Sequence, residues 1–167
     1  MYNQPVSDLE TAIGLVLRAR HLTLAVAESC TGGLVGHRIS RVAGASEYFL
    51  GGVIAYAYSA KENLLGVPAA TLTRYGAVSA ETAQAMARGV RRALGADVGV
   101  SVTGIAGPGG AQPGKPVGLT WIGLSAAATE AAQRFVWAGG RVANQEHSAE
   151  AALRLLHDYL TAGAPQG

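Results

Sequence analysis

Three short segments of this 167-residue chain hold residue types suited to attack on a carbonyl. The first, Glu28-Ser29-Cys30-Thr31-Gly32-Gly33, contains a hydroxyl and a thiol in one Gly-rich turn. If that turn opens a helix, the helix's unbonded N–H groups could stabilise an oxyanion formed by attack of Ser29. The same position suits an N-cap serine, which is commoner than a nucleophile. Cys30 is the rival nucleophile, because a thiol at an electropositive helix start loses its proton more readily. Its plainer role is that of a small buried hydrophobe.

The second segment runs from Tyr56 to Lys61. A lysine can take a serine proton only if burial or a nearby cation lowers its pKa from about 10.4. A solvated lysine and a core-packed tyrosine are the ordinary alternatives. In the third segment, Thr103-Gly104-Ile105-Ala106-Gly107-Pro108-Gly109-Gly110, the backbone amides could cradle an anion. The loop matches neither the Walker pattern nor GxGxxG. Arg141 follows Gly139-Gly140 at an expected loop-to-helix boundary and suits either phosphate or solvent. His21, His37, His147 and His157 lack metal-ligand spacing, and only His37 follows the Ser29 turn closely enough to approach it.

The elements that would position these groups follow from periodicity. A capping box at Ser7 to Glu10 predicts a first helix with Leu9, Ile13, Val16 and Leu17 on one face. Thr23 to Ala27 reads as a strand, followed by the turn and a helix to about Arg41. Leu50 to Tyr56 reads as a second strand, with a short helix from Ala60 to Leu65 that Gly66-Val67-Pro68 stops. Ser79 caps a long helix with Met86, Val90 and Leu94 inward and Gly95 as its stop. Val98 to Thr103 is a third strand. Gly118 to Ala126 and Glu130 to Trp137 should pair antiparallel, and Asn144 to Leu160 forms a last helix before a frayed tail. The expectation is one domain over residues 1–167, an α/β fold with a mixed sheet and helices on both faces. The three segments fall at the carboxyl ends of its parallel strands, where such sheets bind ligands.

With 49% apolar and 14% charged residues the chain is neither disordered nor extreme in composition, and a net charge of +2 without a basic stripe argues against nucleic acid. Charged residues interrupt every apolar run short of a membrane span. A single cysteine excludes an intramolecular disulfide. The N-terminus carries no signal-peptide pattern, so the cytoplasm is the expected compartment.

Several segments together resemble one known family. These are Ala27-Glu28-Ser29-Cys30-Thr31-Gly32-Gly33, Gly52-Val53-Ile54-Ala55-Tyr56, Leu64-Leu65-Gly66-Val67, Gly76-Ala77-Val78-Ser79, Thr103-Gly104-Ile105-Ala106-Gly107-Pro108 and Lys115-Pro116-Val117-Gly118. They are similar to the CinA C-terminal domain family, which includes stand-alone nicotinamide-nucleotide amidohydrolases of the PncC type. The similarity runs from about Leu9 to Leu160. It implies a three-layer α/β/α sandwich with a five-stranded mixed sheet of order 2-1-3-4-5 and strand 4 antiparallel. It implies hydrolysis of nicotinamide mononucleotide to nicotinic acid mononucleotide and ammonia, with no metal or other cofactor, in a homodimer.

By this resemblance Ser29 is the nucleophile and Lys61 the base, supported by Tyr56 and Thr103. Cys30, Thr31, Gly32, Gly33, Gly104, Gly107, Gly109, Gly110 and Arg141 would bind substrate, with Lys115 a further candidate for its phosphate. The alternatives are a non-catalytic nucleotide sensor or adaptor and a Cys30-dependent hydrolase. Two departures stand out. The family's Tyr-Ser-Asn-Glu-x-Lys reads Tyr56-Ala57-Tyr58-Ser59-Ala60-Lys61 here. In the family's Gly-Asp-Arg-x-x-x-Arg at the last helix, Gly140 and Gln145 replace the Asp and the second Arg.

Overall fold

The computed structural model describes residues 8–162. Ser7 and residues 163–167 lie outside the described residues. Glu10, the other half of the expected capping box, is buried and accepts a hydrogen bond from Arg38 Nε at 2.6 Å.

The chain alternates helices α1 (Asp8–Ala19), α2 (Leu34–Ser40), α3 (Tyr58–Leu65), α4 (Ala69–Tyr75), α5 (Ala80–Leu94) and α6 (Arg141–Thr161) with strands. The strands are β1 (Leu24–Glu28), β2 (Phe49–Ile54), β3 (Val98–Gly104), β4 (Leu119–Ala126) and β5 (Thr129–Val136). They form one sheet of order β2-β1-β3-β4-β5. β1 is parallel to both β2 and β3, and β4 is antiparallel to β3 and β5, as the resemblance implied. A single 3-10 turn, Ala45–Glu47, leads into β2.

Side-chain size sorts the two faces of the sheet. Successive strand residues point to opposite faces. On β1 and β3, Leu24, Val26, Val98, Val100 and Val102 turn to one face, where they meet Ile13, Leu17, Val35, Ile39, Leu153 and Leu156 from α1, α2 and α6. The alternate positions are small. Ala25 and Ala27 meet Leu65, Leu72, Met86 and Val90 from α3, α4 and α5. α5 lies close over this face: a Cβ added at Gly99 would strike Ala87 O, and Ser101 Oγ donates to Ala83 O at 2.6 Å. Each buried Val, Leu, Ile or Met contributes about 1.5–3 kcal/mol, so the two clusters supply the bulk of the driving force.

Three details differ from the sequence reading. α4, after Pro68, was not expected, since Gly66-Val67-Pro68 reads as a stop; Pro68 is instead the N-cap of a new helix. α6 starts three residues earlier than Asn144, at Arg141. Leu94, the last residue of α5 before the Gly95 C-cap, is 37% exposed rather than inward. Among the described residues, no helix is long and apolar enough to cross a membrane.

Candidate active site

The carboxyl ends of β1, β2 and β3 lie side by side, with Glu28 in register with Ile54 on one side and Val102 on the other. Two further bonds carry the pairing past the strand ends: Ala55 N donates to Glu28 O at 2.8 Å and Ser29 N to Val102 O at 3.0 Å. Ser29 therefore has a fixed backbone position at the mouth of the sheet.

The expected role of Ser29 as a helix cap belongs to Glu28. Its carboxylate is buried and accepts from Thr31 Oγ1 at 2.6 Å, Gly33 N and Val35 N at 3.1 Å and Gly36 N at 2.8 Å. Glu28 points to the α2 face because it continues the alternation Leu24, Val26, Glu28. The first amides of α2 are thus taken up by a carboxylate and are not free for an oxyanion. Within the turn itself Gly32 N bonds Ser29 O at 3.1 Å, while the amides of Cys30 and Thr31 stay out of this set.

Lys61 comes from the first turn of α3. Lys61 and Leu65 lie on one helical face, both buried against the sheet. Lys61 Nζ is 2.7 Å from Ala55 O, 3.0 Å from Tyr56 O and 3.0 Å from Ser29 Oγ. The side chain is 1% exposed. Burial with no carboxylate partner pulls its pKa down from 10.5 to about 8. The electropositive setting expected to lower the Cys30 pKa does not do so: burial outweighs the nearby Lys61 and Arg141 charges and pushes the thiol up to about 12.

Ser29, Cys30, Lys61, Tyr56, Thr103 and Arg141 line one cavity of about 250 Å³, together with the 104–110 loop and Ala77-Val78. Among the described residues, no acidic side chain lines it. Thr103 donates its hydroxyl to Ala77 O at 2.7 Å. Gly104 is required by close approach: a Cβ there would lie 2.7 Å from Thr120 Oγ1 and 3.1 Å from Cys30 Sγ. Tyr56 holds Lys61 with its backbone carbonyl. Its ring is exposed, and its hydroxyl accepts from Arg141 Nη2 at 3.0 Å, while Arg141 Nη1 donates to Gly107 O at 2.8 Å.

Thr31, Gly32 and Gly33 are not brought into this cavity. They line a separate groove of about 410 Å³ with His37 and Gln145, so His37 does not face Ser29. Lys115 is also outside the cavity, with Nζ 2.5 Å from Tyr75 O. A further groove of about 370 Å³ between β5 and α6, lined by Phe135, Trp137 and His147 among others, shares no residue with the Ser29 cavity.

The first turn of α6 braces the site, which the sequence reading did not anticipate. Asn144 Nδ2 donates to Ala106 O at 3.0 Å, and Gln145 Nε2 donates to Cys30 O at 2.7 Å. Gln145, the second departure, thus bonds the turn that carries Ser29. The polar Asn144-Gln145 pair at the expected start of the last helix was the available signal. Tyr58, at the other departure, accepts from Ala77 N at 3.2 Å.

Comparison with known proteins identifies the family and the fold. The family model for the CinA C-terminal domain matches residues 6–160. The chain is 53% identical over 145 residues to a CinA-like protein of Salinibacter ruber, covering 87% of this chain and 35% of that protein. It is 49% identical over 147 residues to a CinA-like protein of Geobacter sulfurreducens, covering 88% of this chain and 36% of that one. The chain therefore spans little more than a third of the length of these curated relatives. Among solved structures, competence damage-inducible protein A from Klebsiella pneumoniae superposes with a TM-score of 0.91 at 30% identity, over 96% of this chain and 100% of that one. The competence/damage inducible protein CihA from Agrobacterium tumefaciens gives 0.84 at 35% identity, over 96% and 99%. With the family model matching residues 6–160 and relatives about half identical over most of the chain, the chain belongs to the CinA C-terminal domain family.

Proposed function

We propose that the chain is an amidohydrolase that converts nicotinamide mononucleotide and water to nicotinic acid mononucleotide and ammonia, with Ser29 as nucleophile and Lys61 as base. The hydrogen-bond set of Lys61 Nζ carries this reading. A neutral amine has two N–H donors and one lone pair, whereas an ammonium has three donors and none. When Ala55 O and Tyr56 O take the two donors, the lone pair is left for the Ser29 hydroxyl 3.0 Å away. A pKa of about 8 makes that neutral form accessible near neutral pH.

In the reaction, neutral Lys61 takes the Ser29 proton as Oγ attacks the carboxamide carbon. The carbonyl oxygen gathers negative charge, and the amide of Cys30, which lines the cavity beside Ser29, is the donor best placed to receive it. The Lys61 ammonium then protonates the leaving nitrogen, ammonia departs, and an ester to Ser29 remains. Water gives its proton to Lys61 and attacks the ester, and Ser29 leaves with that proton. The substrate's pyridinium withdraws electrons from the carboxamide, and its charge favours a neutral Lys61.

The choice of this amide rests on the family resemblance. The lining supports it: with Lys61 and Arg141 and no carboxylate, the cavity does not repel a phosphate-bearing ligand. The test is ammonia release from nicotinamide mononucleotide by the purified chain, with equal amounts of ammonia and nicotinic acid mononucleotide expected and none from Ser29→Ala. A chain that binds the nucleotide but releases no ammonia is a sensor or adaptor, not an amidase.

A further inference from the structure

The segment from Tyr75, the last residue of α4, through Val78 leads toward α5, and side chains from several directions hold its backbone. Lys115 Nζ donates to Tyr75 O at 2.5 Å. Ser79 Oγ and Thr82 Oγ1, at the start of α5, donate to Gly76 O at 3.1 and 2.7 Å. Tyr58 Oη accepts from Ala77 N at 3.2 Å, and Thr103 Oγ1 donates to Ala77 O at 2.7 Å. Ala77 and Val78 form part of the wall of the Ser29 cavity. They also line a second cavity of about 180 Å³, to which Tyr58 and Lys115 contribute and Ser29 and Lys61 do not. Ala77 packs against the core cluster under α3 and α5, but with space on both sides the wall depends on these hydrogen bonds for its position.

We propose that Tyr58 and Lys115 are specificity-determining positioning residues: they hold the 75–78 strap against the Ser29 cavity and so limit the size of the ring beside the scissile carboxamide. The proposal rests on the amidase reading for the identity of the ligand. Neither residue lines the Ser29 cavity, so both act through the strap. Thr103 and the α5 hydroxyls hold it from the sheet and helix sides, and Tyr58 and Lys115 complete the set. Without these two clamps the strap can yield into the adjoining 180 Å³, and the site admits a wider ring while fitting nicotinamide less closely.

The experiment compares Tyr58→Phe, Lys115→Met and the double variant on two ligands, nicotinamide mononucleotide and an analogue whose carboxamide ring carries a second fused ring. Binding is measured in the Ser29→Ala background, so no turnover is needed, and kcat and KM are measured with Ser29 intact. Loss of one hydrogen bond should weaken binding of the mononucleotide by about 2- to 10-fold, with kcat and its pH profile little changed. The fused-ring analogue should bind more tightly than to the parent. The two substitutions act on one strap, so their effects should not add. Faster hydrogen exchange at the Ala77 amide in Tyr58→Phe reports release of the strap directly. If the binding ratio of the two ligands is the same in parent and double variant, the proposal is overturned. If the chain with Ser29 intact releases no ammonia, the amidase reading fails instead, and the binding ratio still decides the role of the strap.

Discussion

Lys61 Nζ lies 3.0 Å from Ser29 Oγ, and its other two hydrogen-bond partners, the carbonyls of Ala55 and Tyr56, carry no proton to give. On the proposed mechanism Lys61 must be neutral to act, so activity should depend on its titration. The kcat/KM profile should rise with pH through a limb near 8, the value that burial gives the free protein. The kcat limb should lie lower, because the bound pyridinium further disfavours the ammonium. Lys61→Arg keeps the charge and cannot release a proton, and it should lose roughly 10²- to 10⁴-fold in kcat. Near-normal turnover by Lys61→Arg with an unchanged pH profile would remove Lys61 from the mechanism.

The same titration couples to stability. Lys61 titrates near 10.5 when unfolded and near 8 when folded. Below about pH 8 both states hold the proton, and the full cost of burying the ammonium weighs on the native state. Between about 8 and 10.5 the unfolded chain holds more protons, so stability rises with pH across that window. Urea midpoints from pH 7 to 10 should rise for the parent relative to Lys61→Met. Parallel curves would mean that Lys61 is not desolvated in solution.

Ser29 and Cys30 are adjacent and both buried, but only the serine faces a base. With its pKa near 12 the Cys30 thiol stays protonated at neutral pH, and a thiol is a far weaker nucleophile than a thiolate. Ser29→Ala should abolish ammonia release, while Cys30→Ala should keep most of it and the native thiol should react slowly with alkylating reagents. Loss of activity on Cys30→Ala in a folded protein, or on alkylation, would transfer the nucleophile to the thiol.

The sequence made the strands and the three loops legible because alternation and helical periodicity are local signals, and Ser79 and Gly95 mark the ends of α5 as expected. Ser29 and Lys61 are 32 residues apart and meet only because β1 and β2 are neighbours, which local pattern alone does not determine. The family resemblance supplied that pairing. Glu28 escaped notice because a carboxylate at a strand end reads as solvated, and its four donors come from residues 31–36 folding back over it. Pro68 marks a helix stop and a helix start equally well, so α4 was lost.

Arg141 bridges Tyr56 Oη and Gly107 O at the rim of the cavity. Its guanidinium can meet a phosphate while keeping the two flanking segments together. Arg141→Ala should chiefly raise KM for nicotinamide mononucleotide, if the contact is equal in ground and transition states. Nicotinamide riboside, without the phosphate, should be a much poorer substrate for the parent and nearly insensitive to Arg141→Ala. Equal efficiency of nucleotide and nucleoside would exclude a phosphate contact here.

Glu28 offers the sharpest separation of scaffold from chemistry. Its buried carboxylate has no cationic partner among the described ion pairs and is satisfied by one hydroxyl and three amides at the start of α2. Glu28→Gln keeps the shape but turns an amide donor toward groups that are themselves donors. Leaving charge-assisted bonds of this kind unmade should cost about 1.5–3 kcal/mol, read as a lower urea midpoint. Because the turn that carries Ser29 is wound around this carboxylate, kcat should fall as well. The pH limb should stay where it is, since Glu28 makes no contact with Lys61 Nζ. Denaturation and pH-rate curves of the one variant therefore test both parts. Unchanged stability would deny Glu28 its role as the cap of α2. A displaced limb would mean that its charge reaches Lys61 and sets the base directly.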